Sequence, residues 1–430
     1  MNKDILKLLE YIEKYLTHQQ KQEEFIPSRH EVPVSGTSIS IQNKLSLILA
    51  VLDGWYTEHK YAYKFQKDLA EYIGTRFCSL CNSGSSANLL ALSSAKNVYK
   101  PKGRYVVTTA TCFPTTVFSI VQARFIPMFI DLNPVDFKFD LNKLGDLLLD
   151  DDVAGCIFTH TLGFPFDAKE VRTLCNIHKK FFIEDNCDSL GAEINGKKTG
   201  SFGHISTLSM FPAHHITMIE GGAVFTSDND ISRMVEKLKN WGRDCWCLPG
   251  HTNMCGKRFD HQWESMPEGY DHKYTFTEIG YNLKTTDLQA ALGISQFSKI
   301  HNIVASRLAN YHNLKSNILN YDISTIEYDP KVCVPSPFGF PIHVNSQAEF
   351  SRNELIRYLE TNKIRTRPIF SGNIVRQPVM KKIEFAVAEP LTGSDAIMNE
   401  MFWIGCHPEI THEHLNYVKD VFNKFFDEKR

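Results

Sequence analysis

Four short strings in this 430-residue chain concentrate the residue types that do chemistry. Asn82-Ser-Gly-Ser-Ser-Ala-Asn88 reads as a turn that opens a helix. Backbone N–H groups there, with Gly84 permitting close approach and Ser85 adding a hydroxyl, would cradle a phosphate. A Ser/Gly turn with an N-cap accounts for the same string. Phe181–Asp188, FFIEDNCD, is an apolar strand ending in the acids Asp185 and Asp188. A carboxylate in that position can pair with a protonated pyridine nitrogen, or it can cap the next turn. The third string, SMFPAHHITMIEGG from Ser209 to Gly222, sets His214 five residues after Ser209. Imidazole, with an ordinary pKa near 6.5, is a good proton shuttle. The fourth, GYNLKTTDLQAALG from Gly280 to Gly293, carries Asn282.

Cysteines form a second set. There are eleven, and a cytosolic address argues against disulfides. Cys187, Cys245, Cys247 and Cys255 are separated by 57, one and seven residues. Four thiolates suit a 2Fe-2S cluster, suit zinc equally, or are simply buried thiols. Cys78 and Cys81, in FCSLC, have the gap of a redox or zinc pair but no second pair nearby, and read as buried small residues. Cys112, Cys156, Cys175, Cys333 and Cys406 read as structural.

The elements that must position these residues are those of an α/β chain. Apolar residues make up 43% and the net charge is −2, with no basic stripe of the kind that binds nucleic acid. The first residues, MNKDILKLLEYIEKYL, read as an amphipathic helix and not as a secretory signal. The longest uncharged run, Tyr105–Ala123, holds six Ser/Thr, Gln122 and Pro114, so strand and loop are predicted over a membrane span. A soluble, cytoplasmic protein is expected. Strands are predicted at Tyr105–Thr109, Phe125–Ile130, Ala154–Thr159, Phe181–Glu184, Ile205–Met210 and Ala223–Thr226. Helices are predicted at Ser85–Ala95, Ala168–His178 and Lys284–His301, with Phe340–His343 as strand and Arg352–Asn362 as helix further on. Alternation of strand and helix implies a mostly parallel sheet. Residues 240–281, rich in Gly, Cys, His and aromatics, read as a long functional loop. The domain expectation is an N-terminal helix and arm over 1–45, a large α/β domain over 46–302 and a smaller α+β domain over 303–430.

Taken together, the four strings resemble the DegT/DnrJ/EryC1/StrS sugar aminotransferases, a family of fold-type I pyridoxal-phosphate enzymes. The resemblance runs from about Trp55 to the FWIGCHP segment ending at Pro408. It implies that Gly84, Ser85 and Ser209 hold a cofactor phosphate and that Phe113 stacks on the pyridine ring. It also implies that Asp185 binds the ring nitrogen and that Asn282 reaches the phosphate of a second copy, so a homodimer is expected.

One departure redirects the chemistry. The family places a lysine where His214 stands, and this chain has no lysine between Lys198 and Lys237. Lysine links the aldehyde cofactor as an imine; imidazole does not. In this respect the chain resembles the pyridoxamine-phosphate-dependent 3-dehydrases of nucleotide-linked 4-keto-6-deoxyhexoses. Asp188, where the aminotransferases carry Gln or His, has the same affinity; Phe211 departs from the usual Tyr or His. The cysteine spacing, within GRDCWC and CGKRF, is similar to the iron–sulfur branch of these enzymes. That branch implies a 2Fe-2S cluster on the four cysteines, a CDP-linked sugar, an NAD(P)H-dependent reductase as partner, and a place in lipopolysaccharide synthesis through 3,6-dideoxyhexoses. Arg367 and Arg376 are candidate diphosphate contacts, or surface salt bridges. A metal-free dehydratase and a non-catalytic scaffold remain as alternatives.

Overall fold

The computed structural model describes residues 3–19, 24–247 and 250–429. Short apolar strands build its central sheet: β1 Phe77–Cys81, β2 Tyr105–Thr109, β3 Ile126–Ile130, β4 Val153–Thr159, β5 Phe181–Asp185, β6 Ile205–Ser209 and β7 Gly222–Thr226. Every residue of β4, β5, β6 and β7 is buried. Covering on both faces is why these strands read as near-continuous apolar and β-branched runs without alternation. Their spatial order is β1-β7-β6-β5-β4-β2-β3, and a two-residue strand, Ala386–Val387, adds parallel to β3 at the edge. The β6-β5-β4-β2-β3 block is parallel, whereas β7 runs antiparallel to both β1 and β6. The sheet is therefore mixed.

This topology brings the carboxyl ends of β1, β4, β5 and β6 to one edge, the usual ligand-binding edge of an open α/β sheet. The helix Gly84–Tyr99 begins there, three residues after β1, capped by the Ser83 hydroxyl, which accepts from the Ser86 N–H at 3.1 Å. Pro114 opens the helix Pro114–Gln122 just after Phe113, a position that needs no N–H.

Beyond the sheet, a helix Asp287–Phe297 is capped by Thr286 with Gln289 closing a capping box. A second helix, Ile300–Ile318, follows. The single helix predicted over Lys284–His301 is thus two: Thr286 starts the first late, and Lys299 leaves helical geometry at φ −107, ψ 9. The C-terminal part packs an antiparallel sheet in the order Ile323–Ser324, Phe340–Val344, Met401–Ile404, Thr366–Arg367. Its apolar core is shared with Val32 and Val34 of the N-terminal arm and with Leu162 and Phe164. That arm pairs with Ile364 through Val32, and its Thr37 hydroxyl donates to the Pro212 carbonyl two residues before His214. The predicted N-terminal helix spans Lys3–Gln19. Among the described residues of 240–281 the only elements are a short helical turn, His272–Tyr274, and isolated bridges. No helix among the described residues is long and apolar enough to cross a membrane.

Candidate active site

At the carboxyl edge of the sheet lies a cavity of about 510 Å³, and eight of the sequence-predicted site residues line it: Gly84, Ser85, Phe113, Asp185, Cys187, Asp188, Ser209 and His214. At one end, Ser209 finishes β6 against the start of the helix Gly84–Tyr99. A Cβ on Gly84 would overlap Ser209 Cβ and stand 2.8 Å from its hydroxyl. Glycine therefore lets a serine hydroxyl approach free helix-start N–H groups, and the Ser85 hydroxyl, 3.0 Å from that of Thr115, extends the polar rim. Free amides at the positive end of a helix dipole favour an anion.

Asp185 ends β5 and is 2% exposed. Its Oδ2 accepts from Asn88 Nδ2 at 2.9 Å and from Thr116 Oγ1 at 2.7 Å, while Oδ1 accepts the Cys187 N–H at 3.2 Å. Asn88 is itself oriented, because its Oδ1 accepts from Thr207 Oγ1 at 2.6 Å. The residue behind it in β5, Glu184, is fully buried and accepts the amides of Gly200, Phe202 and Gly203 and faces His160 Nε2 at 3.0 Å. The strand end is thus anchored from both sides. Asn186, held by Thr199 and Ser189, then fixes the turn that presents Cys187 and Asp188.

His214 Nδ1 lies 3.9 Å from Asp188 Oδ1, too far for a hydrogen bond, and both Asp188 Oδ2 and His214 Nδ1 are buried without a partner. Burial, with the charge of Asp185 beside it, pushes the Asp188 carboxyl well above the usual carboxylate range. Burial, with the charge of Arg307, pulls His214 down to about 4. Burial thus favours the uncharged form of both groups. The His214 ring packs against Phe338 at 5.0 Å between centroids. His215, by contrast, is engaged with Ser336 at 2.8 Å and is structural.

Phe113 is 50% exposed over the cavity, which argues against its being a core residue, and Phe211 is 47% exposed there. Arg367 also lines the cavity, but Arg376 is paired with Asp395 at 2.7 Å and lies outside it; of the two readings offered for Arg376, the salt bridge is the one present. Asn282 does not line the cavity of its own chain. It is exposed, bridges to Asn240, and accepts from Lys284 Nζ at 2.6 Å. Thr115, Asn88, Phe338, Phe370 and Trp403 line the cavity without having been singled out from the sequence. Asn88, inside the NSGSSAN string, carried a usable signal; the aromatic residues of the C-terminal part carried none.

The cavity fits pyridoxamine phosphate. The Gly84–Ser209 cradle suits its phosphate, the buried Asp185 carboxylate offers an acceptor of the kind a protonated ring nitrogen needs, and Asp188 and His214 line the same cavity. A cluster on the four cysteines fits less well. Cys187 lines the cavity, whereas Cys245 and Cys247 lie beside each other in the loop. Cys255 is 3.4 Å from His272 Nε2 and accepts the Lys257 N–H at 3.3 Å. Among the described residues no three His, Cys, Asp or Glu side chains are gathered as metal ligands. The remaining cysteines, Cys78, Cys81, Cys112, Cys156, Cys175, Cys333 and Cys406, are buried in the core.

Comparison with known proteins agrees with this architecture. The chain is 40% identical over 422 residues to the lipopolysaccharide biosynthesis protein RfbH of Salmonella typhimurium, covering 96% of each. It is 38% identical over 412 residues to the dTDP-4-dehydro-2,6-dideoxy-D-glucose 3-dehydratase of Saccharopolyspora spinosa, covering 95% of this chain and 89% of that one. The solved structure of the E. coli GDP-4-keto-6-deoxy-D-mannose-3-dehydratase with bound hydrated PLP superposes with a TM-score of 0.80 at 22% identity, over 91% of this chain and 99% of that one. The architecture is that of fold-type I. The family model of the DegT/DnrJ/EryC1/StrS aminotransferases matches residues 39–423, and the chain belongs to that family.

Proposed function

We propose that this chain is a pyridoxamine-phosphate-dependent 3-dehydrase of a nucleotide-linked 4-keto-6-deoxyhexose, CDP-linked by resemblance. One observation carries the reading. The residue at the reacting end of the cavity is His214, and among the described residues that line the cavity there is no lysine to bind the cofactor covalently. The 3-dehydratase names of two relatives at 38% and 27% identity support the same choice over aminotransfer. When bound, the cofactor amine supplies a covalent hold on the sugar's carbon-4 ketone and an electron sink for loss of the carbon-3 hydroxyl.

The chain's own residues do the rest. Gly84, Ser85 and Ser209 hold the phosphate, with Asn282 of a second copy completing the site. Asp185 holds the ring nitrogen protonated, and Phe113 covers the ring face. His214 would take the proton from the carbon that bears the cofactor amine and pass it to the departing carbon-3 hydroxyl, which leaves as water. Burial, with Asp185 nearby, disfavours a charge on Asp188 beside the imidazole. Phe338, Phe370 and Trp403 exclude water from the far wall.

The test is direct. Purified protein loaded with pyridoxamine phosphate is mixed with CDP-4-keto-6-deoxyglucose, and the sugar is followed by mass spectrometry. Loss of the carbon-3 oxygen supports the reading. Appearance of a 4-amino sugar, or a borohydride-reduced adduct of the aldehyde cofactor on a lysine, overturns it.

A second element, an iron–sulfur centre on Cys187, Cys245, Cys247 and Cys255 fed by an NAD(P)H reductase, rests on sequence spacing. Among the described residues the thiols as placed do not gather into its ligand set. Anaerobic purification with about two iron and two sulfide per chain would support it; iron-free protein with full turnover would exclude it.

A further inference from the structure

The geometry points to Arg307 as the residue that positions His214, an inference that rests on the proposed role of His214 as the proton carrier. Arg307 sits inside the helix Ile300–Ile318 and is 1% exposed. No carboxylate is paired with it among the described residues. Instead its Nη1 donates to the carbonyls of Pro337 at 3.3 Å and Phe338 at 2.9 Å. Its Nη2 faces the carbonyls of Ala213 at 3.5 Å and His214 at 3.4 Å. One planar cation therefore ties the peptide that bears His214 to the peptide that bears Phe338, and Phe338 is the ring packed against the His214 imidazole. Backbone and ring of His214 are set by the same group.

The chemistry of the choice is informative. A buried guanidinium without a counter-charge is costly, and an apolar side chain of similar volume would serve packing as well or better. Only the fixed fork of arginine reaches four carbonyls on two segments at once; the single ammonium of lysine does not. The arrangement joins residues 213–214 to residues 337–338, with Pro337 standing 124 positions after Ala213. A second cavity, of about 190 Å³, lies behind the histidine and is lined by Arg307, Ser306, His214 and His215, with Lys299 and Glu409 among its other residues. It gives a small planar cation in solution a path to the place of the Arg307 head group.

The test uses the full-length protein loaded with pyridoxamine phosphate. Arg307→Met strands the carbonyls of Ala213, His214, Pro337 and Phe338 and is expected to melt below the parent, Arg307→Lys less so; assayed well below their melting temperatures, both should bind pyridoxamine phosphate with unchanged affinity. Turnover of CDP-4-keto-6-deoxyglucose should fall on the order of 100-fold in kcat with little change in KM, the size expected for a misplaced reacting group. Arg307→Gly should regain rate with added guanidinium chloride at millimolar concentration, in a saturable manner, while ammonium chloride at equal ionic strength gives nothing. A structural role alone would lower melting temperature without splitting kcat from KM and would show no cation-specific rescue. Crystal structures of wild type and Arg307→Met decide the matter apart from the reaction: a displaced His214 peptide or a rotated imidazole supports the inference. An unmoved His214, or kcat within twofold of wild type, overturns it. Should the wild type fail to act on the sugar at all, the proposed function falls and the structural comparison still judges Arg307.

Discussion

Replacing Asp185 with asparagine separates the carboxylate's charge from its place in the fold. The neighbours dictate how the new amide must lie. Asn88 Nδ2 and Thr116 Oγ1 both donate to Oδ2, at 2.9 and 2.7 Å, and Asn88 cannot flip because its own oxygen accepts from Thr207 at 2.6 Å. The amide oxygen of Asp185→Asn therefore takes the Oδ2 place. The amide nitrogen takes the other, beside the Cys187 N–H that Oδ1 accepts at 3.2 Å. One long hydrogen bond is lost, a cost of about 1 kcal/mol, so the protein folds. What changes is the atom available to the cofactor: a charged acceptor becomes a neutral donor, and a protonated ring nitrogen finds no partner. A hydrogen bond to a charged group is worth about 1.5–3 kcal/mol, so affinity for pyridoxamine phosphate should fall roughly 10- to 150-fold. Equilibrium dialysis of apoprotein against pyridoxamine phosphate measures this, with urea unfolding as the control for folding. A stable variant that binds the cofactor within twofold of wild type would refute the assignment of Asp185 to the ring nitrogen.

Gly84→Ala pushes a methyl into Ser209, so apoprotein stability should drop by about 1–3 kcal/mol; affinity for inorganic phosphate, measured by calorimetry, should drop with it, and an unchanged affinity would remove the cradle. Glu184→Ala leaves three amides without their acceptor, the buried one of Gly200 and the part-buried ones of Phe202 and Gly203, and should cost about 2–3 kcal/mol in urea unfolding; a loss under about 1 kcal/mol would mean the loop rearranges to satisfy them. His204 accepts the Phe182 N–H at 3.0 Å and is pulled down to about 4 by burial, so its contribution is complete above pH 6.5 and drains as pH falls toward 4, because the unfolded chain takes up the proton first. With allowance for partial exposure, His204→Gln should remove about 2 kcal/mol of the stability lost between pH 7.5 and 4.5; an unchanged slope would exclude this histidine as the source.

The strands were legible because burial on both faces leaves little room for anything but apolar and β-branched residues, as in IFT and FFI of β4 and β5. The predicted edges differ from the observed ones by a residue: β3 begins at Ile126 and β6 ends at Ser209. FCSLC reads as a thiol pair rather than as a strand, although in β1 Cys78 and Cys81 are small buried residues paired with Phe225 and Gly222. The antiparallel run of β7 and the return of Ala386–Val387 to the large sheet depend on pairings between distant segments. Local pattern does not carry such pairings.

The site divides in the same way. Gly84, Asp185, Ser209 and His214 were found because each closes a strand or opens a helix inside a short string, where local sequence already determines where the side chain will stand. Arg307 and Phe338 act on His214 from helix and loop segments with no such string, and only the folded chain brings them there. The cysteines mark the boundary between the two cases. Their spacing states which thiols the chain could bring together, but among the described residues between Cys245 and Cys255 there is no regular element to translate spacing into position. The loop's path is set instead by bonds such as Arg258 to Asp271 at 2.6 Å and Cys255 to His272 at 3.4 Å. A motif predicts geometry only as far as the secondary structure beneath it is rigid, so the strand-end residues were placed together from sequence and the loop thiols were not.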